Sequence, residues 1–206
     1  MRNFPGMFCV AAGVLLLLAA AGVFGYDRYE DAHAGAEAQA AVQELEERVE
    51  QCGREERAGE MPSQTAGTDS EETQELPVTL LDGYEYIGIL SIPALDLRLP
   101  VMSEWSYPKL KLSPCRESGS TRTDDLVIAA HNYESHFGKL GSLSAGDAVV
   151  FTDMDGVEEH YTAAKTEILK PTEVDAVEHS GYPLVLYTCT YGGKTRIVVF
   201  CERNTD

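Results

Sequence analysis

Apolar side chains fall along this chain in three patterns. From Met7 to Tyr26 they form a run of about 20 residues without a charge, long enough to span a hydrocarbon core as a helix. From His33 to Arg57 they thin out: Ala38, Val42, Leu45, Val49 and Cys52 recur at alternating spacings of four and three, in a stretch rich in Ala, Glu, Gln and Arg. That is the seam of an amphipathic helix. From Tyr84 onward they come in short blocks punctuated by Gly, Pro, Asn and Asp, the signature of strands and turns.

The blocks can be placed in order. Tyr86–Ile92 and Leu95–Met102 predict two strands joined tightly, and Trp105–Pro114 an irregular stretch or helical turn. A loop over Arg116–Thr123 leads to a short buried strand, Asp125–Ala130, with His131 the first polar side chain after it. A polar loop follows to Leu140. Ala148–Thr152 and Glu159–Leu169 predict a hairpin about Asp153-Met154-Asp155-Gly156, whose Asp-Gly pair suits the positive φ of a tight turn. A polar, acidic loop over Pro171–Gly181, with room for a helical turn, precedes a last hairpin over Pro183–Glu202. About eight strands with turn signals between them predict an all-β domain, a closed or nearly closed barrel.

The organisation that results is a short N-terminus (1–6), an apolar segment (7–26), a helical stalk (27–58), an acidic linker without apolar periodicity (59–83) and a β domain (84–206), the last about 120 residues and able to bury its own core. Arg2 lies N-terminal to the apolar segment, so the positive-inside rule puts residues 1–6 in the cytoplasm and the β domain outside. A cleaved signal peptide, with Ala19-Ala20-Ala21-Gly22 as its processing site, is the alternative; the run outlasts a usual signal-peptide core, which favours an uncleaved anchor. For the stalk, two readings stand: a solvated helix, or a weak parallel dimer with Cys52 in the seam.

Charge narrows the partners. The chain carries a net charge of −18, with 16 acidic and 4 basic residues between Asp27 and Gly83, and shows no Lys/Arg cluster. Nucleic acid is therefore excluded as a partner, and anionic lipid is disfavoured. Five cysteines show no Cys-x-x-Cys and no regular spacing, so neither a zinc site nor a disulfide framework is indicated. His136, five after His131, lacks a third ligand at suitable spacing, and Asp153-x-Asp155-Gly156 lacks the later ligands of a calcium loop, so no metal or other cofactor is expected.

The candidate chemistry lies in the last hairpin. Leu184-Val185-Leu186-Tyr187-Thr188-Cys189 ends a strand, Gly192-Gly193 supplies a turn, and Arg196 lies early on the return. A thiol and a permanent cation brought together across a hairpin form a nucleophile and an oxyanion donor. Alternation puts Arg196, Val198 and Phe200 on one face and Ile197, Val199 and Cys201 on the other. His131, also at a strand end, supplies the missing base.

With His131 after an apolar strand, Val185-Leu186-Tyr187-Thr188-Cys189 set against a Thr-Leu-x-Thr-Cys motif, and Arg196 following, the chain over Tyr84–Glu202 resembles the sortase family, of class B or D type. The resemblance implies an eight-stranded sortase-like barrel and a cysteine transpeptidase. It implies Cys189 as nucleophile, His131 as general acid and base, Arg196 as substrate-positioning and oxyanion group, and Thr188 as an aid to positioning. Asn132, Tyr133, Phe137 and Tyr191 flank the site and would contact a bound peptide. The implied substrates are surface proteins with a C-terminal Leu-Pro-x-Thr-Gly-like sorting signal, and the implied acceptor is an amine of a peptidoglycan precursor or a pilin. Val185 departs from the motif's Thr and is expected to face the core. Two other readings stand: an L,D-transpeptidase, whose Ser-x-Gly-Cys-x-Arg signature is absent, and a non-catalytic anchored domain that binds a wall protein or glycan.

Overall fold

The computed structural model describes residues 4–58, 75–173 and 175–204, with side chains described from Gly6 to Gln51, from Glu75 to Glu173 and from Val177 to Asn204. One helix, α1 (Phe4–Ala58), covers both the apolar segment and the amphipathic stretch without a break. The strands that follow are β1 (Thr79–Leu81), β2 (Tyr84–Ile92), β3 (Leu97–Met102), β4 (Cys115–Ser118), β5 (Leu126–Ala130), β6 (Ala148–Asp153), β7 (Glu158–Leu169), β8 (Leu184–Cys189) and β9 (Arg196–Arg203), with short helical turns α2 (Tyr107–Leu110) and α3 (Asp175–Glu178) between them. Sheet order is β1-β2-β3-β4-β5-β8-β9-β7-β6, and β2 also pairs with β6. That last pairing closes eight strands, β2 to β9, into a barrel, as the turn-separated blocks predict. β1 extends the wall beside Tyr84–Tyr86 of β2.

Two segments differ from expectation. Thr79–Leu81 falls inside the predicted linker but forms β1, because Leu76 and Leu81 are buried and bring the backbone to the edge of β2; residues 59–74 of that linker lie outside the described residues. Arg116–Ser118, predicted as loop, belongs to β4, which pairs antiparallel with β5 through a register shift. Its sequence Cys-Arg-Glu-Ser carries little strand propensity, and the pairing is imposed by its neighbours.

Alternation sorts the wall into two faces. Leu126, Ile128, Leu184, Leu186, Val199 and Cys201 point into the barrel core with Phe151 and Tyr161. Val127, Val185, Val198 and Phe200 form a second, outer cluster with Leu169 and Tyr182. Val185 is thus buried, but on the outer face and not in the barrel core.

The seam of α1 is covered by the chain's own barrel. Ala34, Ala38, Val42 and Leu45 are buried; Ala38 joins the main core, and Val42 and Leu45 pack with Leu81, Tyr86, Ile89, Met102 and Met154. Gln39 Nε2 donates to Arg98 O at 3.0 Å, and Arg98 pairs with Glu46. A solvated stalk and a seam-to-seam dimer are both set aside by this packing, since the apolar stripe that either would leave free or share is already used. Cys52 has no described side chain. By contrast the apolar run is exposed throughout, Leu15 to Leu18 at 68–72%, and α1 is the one described helix long and apolar enough to cross a membrane.

Truncating the seam checks this arrangement. Leu45→Ala should destabilise the full chain in detergent by about 2–5 kcal/mol in urea unfolding, whereas Glu47→Ala, two residues on and on the exposed face, should stay within about 0.5 kcal/mol. Neither loss should depend on protein concentration.

Candidate active site

Three strand ends meet at one rim of the barrel. β5 and β8 run parallel with Ala130 opposite Thr188, so His131 follows immediately beside Cys189. β8 and β9 are antiparallel with Cys189 opposite Arg196. Neighbouring strands lie about 4.8 Å apart, and alternation puts His131, Cys189 and Arg196 on the outer face, in line with Val127, Val185 and Val198. Thr188 points the other way: it is 1% exposed, and its Oγ1 donates to Ala130 O at 2.9 Å. It straps the two strand ends together from the inner side, so its aid to positioning acts on the strand ends and not by side-chain contact with a bound peptide.

The turn that follows Cys189 is built for positive φ at Gly192 (85°) and Gly193 (70°). Thr190 N donates to Thr195 O at 3.0 Å and closes it. Arg196 Nη1 donates to Gly193 O and Thr195 O, both at 3.2 Å, which folds the guanidinium over the turn. Tyr191, at the tip, is 97% exposed and open to a partner.

The loop after His131 is tight. Phe137 N donates to His131 O at 3.2 Å and Gly138 N to Tyr133 O at 2.7 Å; a Cβ at Gly138 would meet the Tyr133 and Asn132 carbonyl oxygens at 2.7 and 2.8 Å, so the position requires glycine. Phe137 is fully buried in the barrel core. Its predicted role in a peptide groove is therefore corrected: it is the plug that carries the loop back into the barrel. Asn132 stays half-buried on the loop. Tyr133 stacks on His131, with ring centroids 3.9 Å apart and planes at 29°.

Electrostatics differ between the two imidazoles of this loop. Burial, with Lys111 in support, lowers the pKa of His131, and Glu30 and Asp31 of α1 oppose that shift. His131 Nδ1 is buried and has no hydrogen-bond partner among the described residues. His136 is 0% exposed, with neither ring nitrogen hydrogen-bonded among the described residues, and burial pushes its pKa down to about 4. Cys115 and Cys201 are buried free thiols pushed up to about 12, a state in which neither acts as a nucleophile.

A cavity of about 190 Å³ opens on the outer face beside Cys189 and Arg196. Trp105, Tyr107, Leu110, Leu169 and Val177 supply its apolar wall, and Glu117 its polar one. Glu117 accepts a hydrogen bond from Tyr187 Oη, and burial, then Glu178, raises its pKa. The sequence reading missed these residues. Its available signal was the single Trp, beside a Tyr-Pro pair in an otherwise polar stretch; Glu117 lay in a segment read as loop and gave none.

Comparison with known proteins agrees with the barrel. The sortase domain family matches residues 90–204, more than half of the chain. Among solved structures, a sortase D5 transpeptidase of Clostridium perfringens is similar with a TM-score of 0.56 and 15% identity, over 82% of this chain and 99% of that one. Sortase C-1 of Actinomyces oris is similar with a TM-score of 0.52 and 22% identity, over 58% of this chain and 74% of that one. No curated protein matches the sequence.

One consequence of the electrostatics is measurable. His136 is neutral in the folded chain down to about pH 4 and takes a proton near 6.5 when unfolded. The unfolded state therefore binds more protons between those values, and stability falls as pH drops through the window, by up to roughly 3 kcal/mol. His136→Gln should flatten the dependence of urea stability on pH between 7 and 4. The barrel, the family match and the rim on which His131, Cys189 and Arg196 converge together identify this chain as a member of the sortase family, a cysteine transpeptidase.

Proposed function

We propose that the chain is a membrane-anchored sortase that cleaves a Leu-Pro-x-Thr-Gly-like sorting signal and transfers the acyl part to an amine. The observation that carries this reading is the convergence of His131, Cys189 and Arg196 at the ends of three adjacent strands, on one face and beside a cavity.

Each group has a role its chemistry suits. The Cys189 thiolate attacks the carbonyl carbon of the signal's Thr, forming a C–S bond as the carbonyl π pair moves onto oxygen. Arg196, released from the turn carbonyls, donates to that oxyanion. Collapse breaks the peptide C–N bond, and His131 gives a proton to the departing amine. The resulting thioester is then attacked by the acceptor amine, with His131 taking a proton from it and the Cys189 sulfur leaving as thiolate. A peptidoglycan precursor or a pilin lysine fits the acceptor's role. Tyr191 and the Trp105–Leu110 wall are the surfaces on which peptide and acceptor would rest.

Residues 7–26 serve as an uncleaved anchor, with residues 1–6 cytoplasmic and the barrel outside. Packing of α1 along the barrel supports a refinement of this arrangement. Arg28, Glu30 and Asp31, directly after the apolar run, touch Glu134, Tyr133 and Ser135 beside the site. The catalytic rim therefore faces the bilayer, where a signal held by its own membrane segment would emerge.

Intact-protein mass spectrometry of the full chain with a panel of sorting-signal peptides tests the reaction. Wild type should acquire a hydroxylamine-labile adduct, Cys189→Ala none, and Arg196→Ala should form it about 10²–10³ times more slowly. If every peptide failed on a folded protein whose Cys189 also resisted alkylation, a binding module would replace the enzyme.

A further inference from the structure

The clearest feature outside the three-residue constellation is how His131 is held. A catalytic imidazole is ordinarily oriented by a hydrogen bond to the ring nitrogen away from the reaction. Here Nδ1 is buried and has no partner among the described residues, so no such bond fixes the ring. What contacts it instead is the face of Tyr133, at 3.9 Å between centroids.

Tyr133 is in turn fixed from α1. Its hydroxyl donates to Glu30 Oε2 at 3.2 Å, and Glu30 also pairs with Lys111 at 3.8 Å. On either side in sequence, Glu134 pairs with Arg28 at 3.2 Å, and Ser135 N donates to Asp31 Oδ1 at 3.0 Å. Three consecutive loop residues are thus tied to one helical turn. A Cβ on Gly35 would lie 2.8 Å from the Ser135 Cβ, so the helix approaches the loop as closely as a glycine allows. Any one of these contacts is weak; four on the four-residue turn Arg28–Asp31 fix its place.

We propose that the turn Arg28–Asp31 is the orienting element of the active site: through Tyr133 it sets the ring plane of His131, in place of a hydrogen bond to Nδ1. Tyr133 and Glu30 are positioning residues, and Tyr133 does not line the peptide groove. The inference rests on the acid–base role given to His131 above. It makes the geometry of the base depend on the helix that leaves the apolar run, so site and anchor form one mechanical unit.

The groups that face His131 are Glu30 and Asp31 from α1, Lys111 after α2, Tyr133 and His136 from its own loop, and Cys189 at the neighbouring strand end, with Arg196 one strand further. Of these, the two carboxylates favour the imidazolium and Lys111 opposes it. Neutralising Glu30 removes one favourable charge and frees Lys111 to act more strongly, both in the same direction. The His131 midpoint must fall.

The test uses the full chain in detergent, with ring-proton NMR assigned by a His131→Gln control and single-turnover kinetics of adduct formation. Glu30→Gln should move the His131 midpoint down by about half a pH unit or more, and Tyr133→Ala should lower the maximal rate at least 10-fold with KM within 2-fold. Tyr133→Phe keeps the stack but loses the hydroxyl's tie to Glu30, so its rate should fall between those of wild type and Tyr133→Ala. Unchanged His131 midpoint and rate in Glu30→Gln and Tyr133→Ala would overturn the proposal, as would a Tyr133→Ala defect confined to KM. If Tyr133→Ala failed to fold, Glu30→Gln and Tyr133→Phe would still decide it. A wild type that formed no adduct would overturn the transpeptidase reading alone, because the ring-current shift of the His131 ring protons reports the Tyr133 stack without turnover.

Discussion

Everything at the rim depends on one parallel strand pairing. β5 and β8 are far apart in sequence, and because they run in the same direction they end at the same side of the barrel. A parallel pair needs a long crossover, and here β6, β7 and α3 supply it before β9 returns antiparallel to β8. Two strand ends and one strand start then lie side by side. Ala129, the last outward-facing residue of β5, is small, which leaves room on the outer face for the cavity it helps line. The Thr188 hydroxyl holds the two ends in register from the inner side.

α1 adds a second constraint. Its seam is too short to form a stable coiled coil, yet it matches the outer surface of β2 and β3, where Leu45 is fully buried. A helix packed on the barrel over this length carries its preceding turn onto the His131 loop. The same helix that carries the apolar run thereby becomes part of the site's frame. A flexible stalk would have left the two independent.

How much of this was legible follows from the range of each signal. Strand alternation is local, and it placed Arg196, Val198 and Phe200 on one face correctly. The seam of Ala38, Val42 and Leu45 was equally local and equally clear. What covers a seam is not local, and a sequence pattern alone cannot distinguish a second copy from the chain's own barrel. The site shows the same division. The strand ends of His131, Cys189 and Arg196 lie side by side as expected, whereas Tyr133 and Phe137, four residues apart on one loop, were read alike and part ways: Tyr133 stacks on His131 and Phe137 enters the barrel core. Only the hydrogen bond from Phe137 N to the His131 carbonyl, and the core that receives the Phe137 ring, separate them. β4 was hidden because its polar residues take their strand geometry from β5.

The two imidazoles of the loop show what coverage by α1 does to chemistry. His131 and His136 begin with the same side chain and lie five residues apart. His136 sits beneath the Asp31–Ala34 segment of α1, fully enclosed, and remains neutral through the physiological range. His131 sits at the edge of that cover, with carboxylates on one side and the Cys189 strand end on the other, and its protonated form is only partly penalised. A group that must both give and take a proton needs its two forms close in free energy. Position relative to the helix, more than residue type, therefore sets how far each imidazole's protonated form is penalised.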